Sequence, residues 1–121
     1  MKLKSSKFVS IYFLRGVRMS TWVYVFDEFK PVDIDTGKLL ELAEKDPLKL
    51  LEIIKEALAD HVKEIKDVKV YDIYFDPSNL DLLIEYLITC ELGEVSAKLI
   101  HSSKPSETLN KYYVYEKQVK K

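Results

Sequence analysis

The chain has 121 residues, one cysteine and a formal net charge of −1, and 32% of its residues are charged. This near balance excludes the strong overall attraction to nucleic acid or acidic lipid that a basic protein has. The single thiol of Cys90 excludes an internal disulfide. No stretch reaches the ~18 apolar residues that span a bilayer. We therefore expect one cytoplasmic domain over residues 1–121 and no membrane contact.

The first eighteen residues form a basic segment, with five cationic side chains and no acidic one. Alternating aromatic and β-branched residues predict a strand over residues 7–15. This strand either forms a hairpin with the strand that follows, or residues 1–18 are an extension ahead of a natural start at Met19. A secretory signal is disfavoured, because Arg15 and Arg18 follow the apolar stretch at once and no small-residue cleavage site is present.

The next two elements are a strand and a short helix. Residues 21–29 alternate aromatic residues with valine, which predicts a strand that Pro31 then ends. Three leucines within residues 36–45 predict a short helix with one buried side. Asp33 and Asp35 are both candidates for its N-cap, since a carboxylate there accepts hydrogen bonds from free backbone N–H groups.

A longer amphipathic helix is predicted over residues 47–65. Asp46 suits the N-cap and Pro47 suits the first helical position, where the missing N–H costs nothing. Apolar residues recur at spacings of three and four, and charged residues fill the opposite side. The positions expected to be buried are Leu51, Ile54, Leu58, Val62 and Ile65.

The second half of the chain reads mainly as strands. Residues 68–75 form one strand, while the apolar stretch at 80–91 fits either a strand or a third helix over 77–91. Unbroken alternation at its even positions favours the strand. Two further strands are predicted at 94–102 and 110–118. The order predicts an α+β fold, with an antiparallel sheet of five to six strands and two consecutive helices packed on one face.

No set of residues indicates a catalytic, metal or cofactor site. His61 lies on the charged flank of the predicted long helix, and His101 ends a strand, so neither has further ligands at a readable spacing. Cys90 shares an apolar strand face and is expected to be a buried, inert thiol rather than a nucleophile. With three glycines in the chain, a glycine-rich phosphate loop is excluded. We therefore expect no cofactor, and a protein that is not an enzyme.

The predicted last strand is the most suggestive local feature. Basic and aromatic groups on one sheet face are typical of a stacking surface for single-stranded nucleic acid. An edge strand that uses lysine to prevent strand pairing is the alternative interpretation. Residues 101–121 carry a net charge of +3 against −9 for residues 19–100, so any nucleic-acid contact would be local. The candidate residues are Lys111, Tyr113, Tyr115 and Lys117.

The sequence favours a small non-enzymatic interaction module that acts as a homodimer. Both faces of the strands at 21–29 and 80–90 carry large apolar side chains, and two helices cover one face only. A second subunit would then cover the other face. Nucleic-acid binding and small-ligand binding are the alternative functions.

Amino-acid usage also indicates a source. The chain has seventeen Lys against two Arg, and nine Ile and eight Tyr against three Gly. Thermophile proteins favour lysine and glutamate in surface ion networks and contain little glutamine. This usage predicts a thermophilic archaeon or a virus of one.

Overall fold

In the computed structural model, residues 19–119 are described, and these form an α+β structure as predicted. The five strands of this part of the chain form one antiparallel sheet in the order β2-β1-β5-β4-β3. The elements are β1 (Ser20–Val25), β2 (Glu28–Val32), α1 (Thr36–Lys45), a 3₁₀ turn (Pro47–Leu50), α2 (Leu51–Leu58), β3 (Ile65–Asp76), β4 (Asp81–Cys90), β5 (Gly93–Ser102) and α3 (Pro105–Val119).

The predicted strand over 21–29 is in fact a tight hairpin. The chain reverses at Phe26 and Asp27, whose φ angles are 53° and 61°. Two consecutive positive φ angles define the two-residue turn that matches the twist of antiparallel strands. Pro31 does not end the strand but lies within β2, opposite Trp22 of β1. A proline is tolerated there because β2 is an edge strand.

Residues 7–15 lie outside the described residues. The hairpin predicted between that segment and the next strand would need an open side of β1. Both sides of β1 are taken, since it pairs with β2 on one side and with β5 on the other.

Helix α1 has the predicted bounds, and its cap is Asp35 rather than Asp33. The Asp35 carboxylate accepts a hydrogen bond from the Lys38 backbone N–H at 3.0 Å. Asp46 precedes the 3₁₀ turn and Pro47 opens it, as expected, but the Asp46 side chain makes no capping hydrogen bond.

The predicted helix over 47–65 is wrong in its length, because α2 ends at Leu58 and Ile65 begins β3. The Glu91 carboxylate accepts hydrogen bonds from the backbone N–H groups of Lys63 and Glu64 at 2.7 and 3.0 Å, and these bonds lower its pKa. The chain before β3 is thereby bound to the β4–β5 turn instead of continuing the helix.

The main core lies between the sheet and the two consecutive helices. Of the predicted helical core positions, Ile54, Leu58 and Val62 are buried, and Leu51 is half-buried. The predicted strand at 80–91 is confirmed as β4. Its even positions face this core, namely Leu82, Ile84, Tyr86, Ile88 and Cys90.

The C-terminal segment is a helix, so the strand predicted over 110–118 is wrong. Thr108, Leu109 and Tyr112 are buried at helical spacing, and Leu109 and Tyr112 pack with Leu83 and Ile100 on the second face of the sheet. The alternating tyrosine and valine residues of this segment are typical of a strand. The segment is helical because a helix there packs its buried side on the second face of the sheet. Helix α3 therefore covers part of the face that was predicted to need a second subunit, while Trp22 and Leu87 on that face stay half-buried.

Candidate interaction surface

The two edges of the sheet differ in length and in protection. Strand β2 has five residues and contains Pro31. The Lys30 ammonium donates a hydrogen bond to the Ala57 carbonyl at 3.0 Å and lies 3.7 Å from the Asp60 carboxylate. A short strand with proline and lysine is a typical protected edge. Strand β3 has twelve residues, and no described strand pairs with its outer side.

A first groove runs along β3 on the side of α1. Ile73 and Phe75 of β3 point towards this side and are 40% and 45% exposed. The groove has a volume of about 310 Å³. We call it the α1 groove, and it is lined by Leu40, Ala43, Glu44, Ile73, Phe75 and Leu82. Its lining is apolar apart from one carboxylate.

A second groove lies along the same strand on the side of α3. Its volume is about 510 Å³, and the ring centroids of Tyr74 and Tyr115 lie 5.1 Å apart at its base. We call it the α3 groove, and it is lined by Tyr74, Asn110, Lys111, Val114, Tyr115 and Gln118. Its surface therefore combines two aromatic rings and one valine with two amide groups and one ammonium group.

The two grooves flank the outer edge of β3, with which no strand of residues 19–119 pairs, and this arrangement suits an added strand. Successive side chains of a strand point to opposite faces of a sheet. An extended segment paired with β3 would therefore place alternate side chains in the α1 groove and in the α3 groove. Backbone hydrogen bonds would supply attachment, and the grooves would select the side chains.

A buried polar network fixes α3 against the sheet and so shapes the α3 groove. The Tyr112 hydroxyl donates a hydrogen bond to Glu85 at 2.7 Å, and Ser96 Oγ donates to the other Glu85 oxygen at 2.8 Å. The Lys98 ammonium donates to Ser96 Oγ at 3.0 Å and lies 3.9 Å from Glu85. Burial, followed by the bond to Glu85, raises the pKa of Tyr112, so its hydroxyl keeps the proton that it donates.

The four residues predicted for nucleic-acid binding do not share one face. All four residues lie on helix α3, in which residues four apart share a side. Lys111 and Tyr115 are such a pair, and both line the α3 groove. Tyr113 and Lys117 are also four apart but lie on a different side of the helix. The Lys98 ammonium sits 5.5 Å from the centre of the Tyr113 ring. The expected flat stacking surface is therefore not formed, while nucleic-acid binding itself stays a prediction.

The chemically reactive side chains are far apart or enclosed. Cys90 is buried, and it pairs with Gly93 at one end of the β4–β5 ladder, whereas His101 pairs with Leu82 at the other end. The His61 ring packs against Phe26 with centroids 4.7 Å apart. No group of metal-binding side chains is found within residues 19–119. None of the helices described there is long and apolar enough to cross a membrane.

Stability should depend on pH through His101. Thr21 Oγ1 lies 3.0 Å from its Nδ1, while its Nε2 is buried without a hydrogen-bond partner among the described residues. Burial lowers the pKa of His101, although the charge of Asp81 opposes this. In the unfolded chain the His101 imidazole takes up a proton near pH 6.5, whereas in the folded chain it does so only at a lower pH. The free energy of unfolding should therefore keep its full value above pH 6.5. It should decrease as the pH falls from 6.5 towards the lower pKa that His101 has in the folded protein.

The measurement is urea unfolding of the intact chain at pH 7.5 and at pH 5. The His101→Gln variant should lose less stability between these values than the parent, because the titrating ring is gone. His61→Gln is the matched control and should behave like the parent. An equal loss in the parent and in His101→Gln would refute this assignment.

Comparison with known proteins gives no match: no protein family, no curated protein and no solved structure is significantly similar to this chain.

Proposed function

We propose that this protein is a non-enzymatic interaction module that forms a homodimer through the outer edge of β3. The observation that carries the proposal is the long edge strand with exposed Ile73 and Phe75 between two grooves. An exposed apolar edge strand is a site for pairing with another chain unless the protein blocks it. The opposite edge, β2, has such protection along its whole length. Strand β3 carries lysine and two register shifts in its first half, but its second half, from Ile73 to Asp76, pairs regularly with β4 and contains no lysine, so this half is favoured as the contact surface.

Charge supports a second copy of this chain as the partner. Residues 19–119 carry twelve lysines against twenty acidic residues, a net charge of −8, while residues 1–18 carry +5. The basic segment of one copy and the acidic body of another attract each other, and the two contacts of a two-fold dimer are equivalent. The need for a second subunit to cover one face of the sheet is weaker than predicted, because α3 covers part of that face.

Substitutions on β3 test the proposal. Phe75→Asp together with Ile73→Asp puts charge into the α1 groove and should shift the intact chain from dimer to monomer in sedimentation experiments. The matched control is Leu92→Asp, since Leu92 is also a large apolar residue, is 56% exposed and lies in the β4–β5 turn, away from both grooves. The control should stay dimeric. Circular dichroism checks that each variant folds, and a folded double variant that stays fully dimeric would contradict β3 as the contact surface.

The small-ligand alternative has weaker support from the geometry. The α1 groove has the volume of a small ligand site, but such sites have several convergent polar groups. Glu44 is the one charged residue in its lining. The groove is better suited to apolar side chains of a bound chain.

A further inference from the structure

We infer that the α3 groove binds a proline-rich peptide in the polyproline II conformation. This activity goes beyond the proposed dimer and does not rest on it. Ile73 and Phe75, which carry the dimer proposal, point to the face of the sheet that α1 covers, whereas Tyr74 of the groove points to the face that α3 covers. The support comes from the aromatic rings of the groove, its unpaired side-chain donors, its length and its charge.

The aromatic floor of the α3 groove is held in a fixed orientation. The half-buried rings of Tyr74 and Tyr115 pack on the buried ring of Tyr112, with centroid distances of 6.0 and 6.1 Å. The Tyr112 hydroxyl is in turn bonded to Glu85. Rings that are already ordered lose little conformational freedom when a ligand binds. Aromatic-lined grooves are the surfaces on which proline-rich segments dock.

Polar side chains with unused donors border this aromatic floor. Within residues 19–119, the side chains of Asn110, Lys111 and Gln118 make no hydrogen bond or ion pair. Their N–H groups are therefore available to a ligand that presents acceptors. Polyproline II has no internal hydrogen bonds and proline has no backbone N–H, so the free backbone groups of such a peptide are carbonyl oxygens. Donors beside aromatic rings match this chemistry.

The length of the groove fits a short segment of such a peptide. Asn110, Val114 and Gln118 recur at intervals of four and therefore share one side of α3. The two amides are eight helical residues apart, which is about 12 Å along the axis. Polyproline II rises about 3.1 Å per residue, so about four residues span the same distance. The amides can therefore hold the two ends of a segment whose middle lies on the tyrosine rings.

Charge disfavours nucleic acid as the occupant of this groove. Lys111 is the one cationic residue in the lining that the described chain provides. Hydrogen bonds from Ser78 lower the pKa of Asp76 most, and the charge of Lys111 adds to this effect. The Asp76 carboxylate is thus ionised at neutral pH and offsets that ammonium. The net charge of −8 on residues 19–119 also opposes the approach of a phosphate backbone.

Fluorescence anisotropy of a labelled oligoproline peptide tests the site in the intact chain. The peptide should bind saturably, and a Gly-Ser peptide of equal length, which is a flexible coil, should bind at least several-fold more weakly. Val114→Glu puts a charge into the groove and should abolish binding. Val119→Glu is the matched control, since both valines are exposed residues of α3, 55% and 59%, but Val119 does not line the groove. It should keep the parent's affinity.

A second variant leaves the apolar surface intact and removes only the donors. Asn110→Ala together with Gln118→Ala should weaken oligoproline binding by roughly ten-fold, because a single hydrogen bond contributes about two- to ten-fold. Both side chains are exposed, so the fold should not change, and circular dichroism checks this for every variant. An unchanged affinity of this double variant would contradict the role of the two amides.

The remaining outcomes separate the alternatives. Absence of saturable oligoproline binding would overturn the inference, as would equal binding of the Gly-Ser peptide or equal losses in the two valine variants. Tighter binding of a single-stranded oligothymidylate, abolished by Val114→Glu, would assign the groove to nucleic acid instead. The Ile73→Asp, Phe75→Asp variant should bind oligoproline like the parent. If the unaltered chain proves monomeric but binds oligoproline, the proposed dimer fails and this site stands.

Discussion

Replacing Lys98 by methionine should destabilise the protein by about 3–5 kcal/mol, the range for removing one partner of a buried ion pair. The Lys98 and Glu85 side chains are each 9% exposed, and Lys98 is the cation paired with Glu85 within the described chain. Methionine keeps much of the volume of the lysine stem but leaves the Glu85 carboxylate buried without a counter-charge. Most of the cost comes from that uncompensated charge rather than from a lost contact.

A paired substitution separates the two causes. Glu85→Gln added to Lys98→Met removes the uncompensated charge, so the double variant should regain most of the lost free energy of unfolding. The exposed pair of Lys104 and Glu107 supplies the control, since Lys104→Met there should change stability by less than about 1 kcal/mol. Urea unfolding of the four proteins gives these values. Equal stability of Lys98→Met and Lys104→Met would show that the buried network is unimportant.

Leu58→Ala should cost about 2–5 kcal/mol, because it leaves a cavity beneath α2. Leu58 is 1% exposed and packs against the main core of the sheet. Leu48→Ala is the matched control, since Leu48 lies in the preceding 3₁₀ turn and is 49% exposed. Denaturant unfolding should show a large change for Leu58 and a small one for Leu48. A Leu58→Ala variant with the parent's midpoint would contradict the placement of α2.

Local patterns predicted much of the fold where local and tertiary preferences agree. Helix α1 and strand β4 follow from periodicity, and capping chemistry narrowed the N-cap of α1 to Asp33 or Asp35, of which the structure has Asp35. The helix predicted over 47–65 was too long, because Val62 and Ile65 continue the apolar spacing of a helix. In the structure Val62 lies in the turn after α2 and Ile65 lies in β3, and both side chains pack against the core from there. Periodicity identifies which residues are buried more reliably than which element buries them.

The C-terminal helix and the candidate surface depend on contacts that are distant in sequence. In α3, Tyr112 is buried because it meets Leu83, Ile100 and Glu85 on the sheet, and none of these is near it in the chain. The position of β3 at an edge follows from the strand order, which the sequence does not encode locally. Ile73 and Phe75 are, however, large apolar residues on a strand with many charges, and this contrast in the sequence could have indicated the apolar edge of β3.

The most direct test of the dimer through β3 is light scattering of the intact chain over a range of micromolar concentrations. The proposal predicts a mass near twice the 14.1 kDa of one chain. It also predicts that the mass falls towards that of one chain when the protein carries Phe75→Asp and Ile73→Asp. A mass of 14.1 kDa for the unaltered chain at every concentration would contradict it.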